Sequence, residues 1–282
     1  MTTMSEPHVL VLLDTSPASE AALENAVRLA RHHRLELIAL FVEDQDLIAS
    51  ADHIFTREIS LLSGQARPFD REILLARLAR QRQQIESRLA ALDQQEQIRW
   101  RLDVVTGPVS ESILKAALGA EWVVLGKAGW SAARGGRLGT TARQLVETTQ
   151  CRLLLWQERT FAPQSDIAAL IGDPTSSDSV IETARQLALA TERNTRLLLL
   201  PGVDPPSLPD VASGQQRDRP AVIIERLGRG GIDALRRALQ VRPAAALVID
   251  DRAAAALNLP MTELIAGLDT PVIRIPTLPM NG

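Results

Sequence analysis

Tyrosine is absent from this 282-residue chain, and phenylalanine and tryptophan supply only four residues each. With aromatics at 3%, any core must be built from Leu, Val, Ile and Ala, which the 45% apolar content allows. Cysteine is nearly absent as well. Cys151 stands alone, which excludes an intrachain disulfide and fits a reducing compartment. The opening MTTMSEPHVLVLLD lacks the basic region and long apolar run of a secretory signal, and no apolar stretch reaches membrane-spanning length. A cytoplasmic protein with no membrane partner is expected. The net charge of −3 indicates no general attraction to nucleic acid. His8, His32, His33 and His53 have neither metal-ligand spacing nor a companion nucleophile, so no catalytic or metal site is expected.

What the chain does have is alternation. Val9–Leu13, Leu35–Val42, Trp100–Val105, Trp122–Leu125 and Arg152–Trp156 are short apolar runs of the kind buried on both faces. Helical patterns separate them: Ala22/Leu23, Ala26/Val27 and Ala30 share one face, and Leu74, Leu78, Ile85, Leu89 and Leu92 recur three, four or seven apart over 69–94. Residues 43–68 show no clean period and read as a loop with a short helix. Five strands alternating with four helices predict a doubly wound, Rossmann-like or flavodoxin-like α/β sheet of order 3-2-1-4-5. In such sheets ligands bind beyond the C-terminal ends of the strands, where Asp14, Val42 and Gly126 all fall.

One loop has a composition suited to that role. GKAGWSAARGGRLGTT, residues 126–141, follows the run Trp122–Leu125 and precedes the helix-like ARQLVETT. Gly126, Gly129 and Gly139 let backbone approach an anion, and Thr140 and Thr141 stand where the first N–H groups of a helix would point at it. Without those flanks a flexible surface loop would be the simpler reading. The loop lacks the Gly-Lys-[Ser/Thr] ending of a P-loop.

The pattern then starts again. LLDTSPASEAALENA (12–26) aligns without gaps on LIGDPTSSDSVIETA (170–184), Ala245–Ile249 matches Trp122–Leu125, and 264–275 matches 145–156. Two copies of one fold are expected, 1–157 and 166–282, with a linker at 158–165. The second copy is degenerate. Gly172 replaces Asp14, the Pro-rich 203–220 replaces the long helix, and Asp250-Asp251 stands where the first copy has Gly126. With no glycine before Pro260 and two carboxylates at the strand end, read as solvated, the second copy is expected to lack a phosphate site.

These residues together resemble the universal stress protein family in its tandem form. The first copy carries the fingerprint of the ATP-binding branch, G-x2-G-x9-G-[ST], as Gly126, Gly129, Gly139 and Thr140. Ala128 and Gln150-Cys151-Arg152 depart from the family's usual residues. The resemblance implies an ATP site, with Mg or Mn as the accompanying cation and weak hydrolysis at most. Asp14 would accept from the adenine amino group and Val42 would meet adenine through its backbone. Gly126 and Gly129 would lie against ribose and the first phosphates, and Gly139, Thr140 and Thr141 would donate to phosphate. Lys127, Arg134 and Arg137 either pair with outer phosphates or are ordinary exposed charge, and Asp14 has the alternative role of a helix cap. Trp130 either covers the loop or marks a partner surface. The family further implies a regulatory role in stress tolerance and pairing through the last strand. Here that pairing becomes a pseudo-dimer within one chain, with a homodimer or another protein as further partners. A nucleotide-free scaffold is the alternative. An adenylating enzyme is less favoured, because its S-G-G-x-D-S would fall where this chain reads DTSPAS.

Overall fold

Apolar runs and amphipathic stretches alternate because parallel strands are buried on both faces while their covering helices are buried on one. The computed structural model describes residues 6–53, 55–60, 63–96, 98–128, 137–157, 165–173, 177–206 and 221–277. In it the apolar runs form a single, mostly parallel sheet of ten strands. On one side, β1 (His8–Leu12) lies between β2 (Glu36–Asp44) and β6 (Ala120–Gly126). Outside them are β5 (Trp100–Gly107) and β7 (Arg152–Trp156). On the other side, β8 (Asp166–Ile171) lies between β9 (Thr195–Leu199) and β11 (Ala244–Asp250). The outer strands there are β10 (Val222–Arg226) and β12 (Val272–Ile275).

The sequence pattern predicts two separate sheets, and the structure joins them. β7 and β12 pair antiparallel, with Ile273 opposite Leu154. Each group of parallel strands would otherwise end in an apolar strand with an open row of N–H and C=O groups. Leu153, Leu154, Leu155, Val272 and Ile273 are all at most 2% exposed at the joint. Because the pairing is antiparallel, the C-terminal strand ends of the two halves face opposite edges of the sheet.

The helices follow local chemistry. Ser16 caps α1 (Pro17–His33), accepting from the Ser19 N–H at 3.2 Å, and the helix buries Ala22, Leu23, Ala26, Val27 and Ala30 as expected. α3 (Arg71–Glu96) buries the expected Leu74, Leu78, Ile85, Leu89 and Leu92. The stretch 43–68 holds α2 (Gln45–Ser50) and an unexpected hairpin of β3 (Arg57–Ile59) with β4 (Ala66–Pro68). Both hairpin strands are short and mostly exposed, so no apolar alternation announced them. α4 (Val109–Ala116) and α5 (Thr140–Thr148) complete the first half. The second half has α6 (Ser177–Ala190), α7 (Gly231–Val241), α8 (Asp251–Ala256) and α9 (Met261–Ala266). Among the described residues no helix is long and apolar enough to cross a membrane.

The joint makes a direct prediction. Ile273→Ala removes a fully buried side chain at the β7–β12 pair and should destabilise the chain by about 2–5 kcal/mol in urea unfolding. A loss below about 0.5 kcal/mol, the range of surface substitutions, would mean that this pair does not hold the halves together.

Candidate functional site

The site begins where β1 ends. The Leu13 N–H donates to the Leu40 carbonyl at 3.0 Å, and the chain then turns away from β2. Backbone groups alternate sides along a strand, so the direction that aims Leu40 at Leu13 aims the Val42 N–H and C=O the same way. They face the space beyond the end of β1, where the β1–β2 ladder has stopped at Leu12 and Leu40. One donor and one acceptor therefore stand side by side on the cavity wall.

The turn itself is strained. Thr15 has φ 57°, a left-handed conformation that a β-branched residue rarely takes. Two contacts hold it there: the Ser16 N–H donates to Asp14 Oδ1 at 3.0 Å, and Gln81 of α3 donates to Thr15 Oγ1 at 2.7 Å. Ser16, not Asp14, is the cap of α1. Asp14 stays exposed at the cavity mouth with one carboxylate oxygen engaged locally.

The glycine loop leaves from β6. A Cβ at Gly126 would lie 3.0 Å from the Ala18 Cβ and 3.2 Å from the Ala18 carbonyl carbon, so the start of α1 packs directly on this glycine. The Gly139 N–H donates to the Lys127 carbonyl at 3.0 Å, which pinches the base of the loop shut. Gly129, Trp130 and Arg134 lie outside the described residues. Gly139 is then the N-cap of α5 and offers no side chain to its first amides. The first turn of α5 thus keeps its N–H groups and the positive end of its dipole for something else.

These parts enclose a cavity of about 320 Å³ at the C-terminal edge of the first half. That volume is in the range of small-molecule pockets. Leu12, Leu40, Ile113 and Leu125 make its apolar wall, while Asp14, Val42, Gly126, Gly139, Thr140 and Thr141 come together around it. Ser19, Val109 and Ala128 also line it, and like Ile113 they were not anticipated. Val109 and Ile113 did carry a signal, since they follow the turn after β5, whose end lies beside Val42. Two expected residues sit elsewhere. Arg137 is exposed beside the loop. Lys127 is 2% exposed and turns away from the cavity, donating through Nζ to the Leu268 carbonyl just before β12. The cavity is polar in a directional sense: a carboxylate and a free strand edge at one end, an uncapped helix start at the other, and apolar walls between.

The matched place in the second half is filled. α8 begins directly after β11, and Asp250 caps it, accepting from the Ala253 N–H at 2.8 Å. The expectation of a solvated strand end is wrong for Asp250, which is 2% exposed. A Cβ on Gly172 would lie 2.6 Å from the Ala253 Cα, so α8 backbone occupies the space that is open beside Asp14. Asp251 is engaged by Arg274 at 2.9 Å.

Other reactive groups form no second centre among the described residues. His8 Nδ1 lies 2.9 Å from the Glu6 carbonyl, and His33 packs against Trp122. Burial pushes the Cys151 thiol up, which suits a packed rather than a nucleophilic sulfur. Among the described residues no group of three or more His, Cys, Asp or Glu side chains is placed to hold a metal ion.

Residues 7–156 match the model of the universal stress protein family. No curated protein matches the chain. A universal stress protein from Archaeoglobus fulgidus DSM 4304 superposes with a TM-score of 0.61 at 14% identity, covering 95% of this chain and 96% of the other. A putative universal stress protein from Pseudomonas aeruginosa UCBPP-PA14 gives 0.58 at 14% identity, covering 97% and 94%. At such identities the likeness is one of fold.

Filling of the second position can be tested by volume. Gly172→Ala forces a methyl against α8 backbone and should destabilise the chain by about 1–3 kcal/mol in urea unfolding. An unchanged midpoint would mean that α8 gives way easily and that the space is not tightly filled.

Proposed function

The chain belongs to the universal stress protein family, and on that premise we propose that its first half binds an adenine nucleotide, ATP foremost, as a regulatory protein of stress tolerance. The observation that carries this reading is the directional cavity. A nucleoside phosphate has an amine-bearing aromatic edge at one end and an anion at the other, and the cavity offers complementary groups in that order.

In this reading the adenine amino edge meets the Val42 backbone and the Asp14 carboxylate. The base lies against Leu12, Leu40 and Ile113. Gly126 is assigned to ribose, Gly129 of the loop by its motif position to the first phosphates, and the amides and hydroxyls of Thr140 and Thr141 to the phosphate oxygens. Arg137 is exposed beside the loop and available to an outer phosphate. Lys127 is left out of the set because its ammonium already serves Leu268. A Mg or Mn ion carried with ATP would be held by phosphate oxygens and water, since the protein offers no carboxylate cage among the described residues.

The two halves are read as two copies of one unit, paired through their last strands as a pseudo-dimer within the chain. The second copy has closed its own site with α8. One nucleotide per chain is therefore proposed, with occupancy rather than turnover as the signal to a protein partner.

Two measurements decide. Protein purified, denatured and examined by chromatography should release adenine nucleotide, or else bind added ATP with a stoichiometry near one per chain. A folded protein that neither carries nor binds it would leave the scaffold reading in its place. Thr140→Asp separates stability from binding: an acid in the first turn of α5 favours the helix by about 0.3–1 kcal/mol yet repels phosphate. ATP affinity should fall at least about tenfold, roughly 1.4 kcal/mol, with the melting temperature unchanged or raised. Wild-type affinity in this variant would remove α5 from the site.

A further inference from the structure

Two side chains cross between the halves in opposite directions: Lys127 leaves the base of the loop that leads into α5, and Arg274 arrives at the end of α5. Lys127, the residue after Gly126, is buried with its Nζ donating to the Leu268 carbonyl, between α9 and β12. Arg274 of β12 is 6% exposed and donates to the Thr149 carbonyl at 2.7 Å, at the C-cap of α5. The second half thus holds α5 directly at its C-cap and, at its start, through Lys127, whose carbonyl receives the Gly139 N–H; between the two, α5 packs on α9.

The far fastening is itself held by what replaced the second glycine loop. Asp251 stands just after β11, where the first half has its loop, and receives Arg274 through Nε at 3.0 Å and Nη2 at 2.9 Å. That two-point contact fixes the guanidinium plane and leaves Nη1 for Thr149. Thr277 adds a hydroxyl to the same carboxylate at 3.2 Å. The two fastenings differ from ordinary surface contacts because a buried ammonium or guanidinium has no water to fall back on if its partner moves.

From this arrangement we propose that the second half is a positioning element for the nucleotide site of the first, acting through Lys127 on the loop and through Asp251 and Arg274 on the end of α5. The inference rests on the nucleotide reading given above. The degenerate copy then has a role of its own, which is to hold the α5 amides at a fixed distance from Asp14 and Val42. Neither Arg274 nor Asp251 lines the cavity, and their end of α5 lies at the opposite edge of the sheet. By linkage, a site that depends on this contact also strengthens it when filled.

The test uses the full chain in four forms: wild type, Lys127→Met, Arg274→Met and Asp251→Asn. ATP affinity is measured by calorimetry, and hydrogen exchange over residues 261–275 is followed with and without ATP. Each variant should bind ATP at least about tenfold more weakly. In wild type, ATP should slow exchange over 261–275, and the slowing should vanish in Lys127→Met. If a variant does not fold, the remaining ones decide, and Asp251→Asn is the mildest of the three. Folded variants that bind ATP like wild type would overturn the proposal, and so would ATP binding that leaves exchange over 261–275 unchanged. In either case the nucleotide site itself survives. Absence of ATP binding in wild type removes both readings together.

Discussion

Everything in this molecule depends on the antiparallel pairing of β7 with β12. It turns two groups of parallel strands into one sheet and covers two apolar edges that would otherwise invite association. It also sets direction. Since the strands of the two halves run opposite ways, the cavity at the end of β1, β2 and β6 opens at one edge, while Asp250 and Asp251 stand at the other. The halves therefore do not face each other across a shared cleft. What the second half contributes to the first must travel through the joint, and Lys127 and Arg274 are side chains that cross it.

The faces of the sheet are unequal at that joint. Leu154 of β7 looks toward α1 and α6, where a cavity of about 370 Å³ remains between the halves. Arg274, opposite Leu153, looks the other way toward the end of α5. Adjacent residues of a strand point to opposite faces, so one face of the joint is closed by α5 against α9 and the other is left open. α5, whose start lines the candidate cavity, lies on the closed side.

Much of this was legible in the residues. The strands, α1 and the long α3 declared themselves through apolar period, because burial on one or two faces leaves a direct mark on composition. So did the gathering of Asp14, Val42, Gly126, Gly139, Thr140 and Thr141, since strand C-terminal ends in a parallel sheet converge whatever the loops do. The misses have physical reasons. The β3–β4 hairpin buries almost nothing and so has no pattern to read. Lys127 looks like a phosphate ligand beside a glycine loop, but the direction of a side chain depends on what packs against it, here a carbonyl 141 residues away in the chain. Asp250 and Asp251 looked solvated because carboxylates usually are. A cap on α8 and a buried arginine on the neighbouring strand β12 gave each a partner that the local sequence does not disclose. The joining of the sheets was implied only by family resemblance, as an edge strand carries no label for its partner.

The joint also lies within a single chain, with only the segment between Trp156 and Asp166 connecting β7 to the second half. Pairing of last strands between separate molecules obeys mass action: dilution weakens it, and so lowers the fraction of molecules with an assembled contact. Here the partner strand is always supplied at the effective concentration of a short tether, on the order of millimolar. The contact that braces α5 then does not depend on how much protein a cell makes. That joint has no assembly threshold.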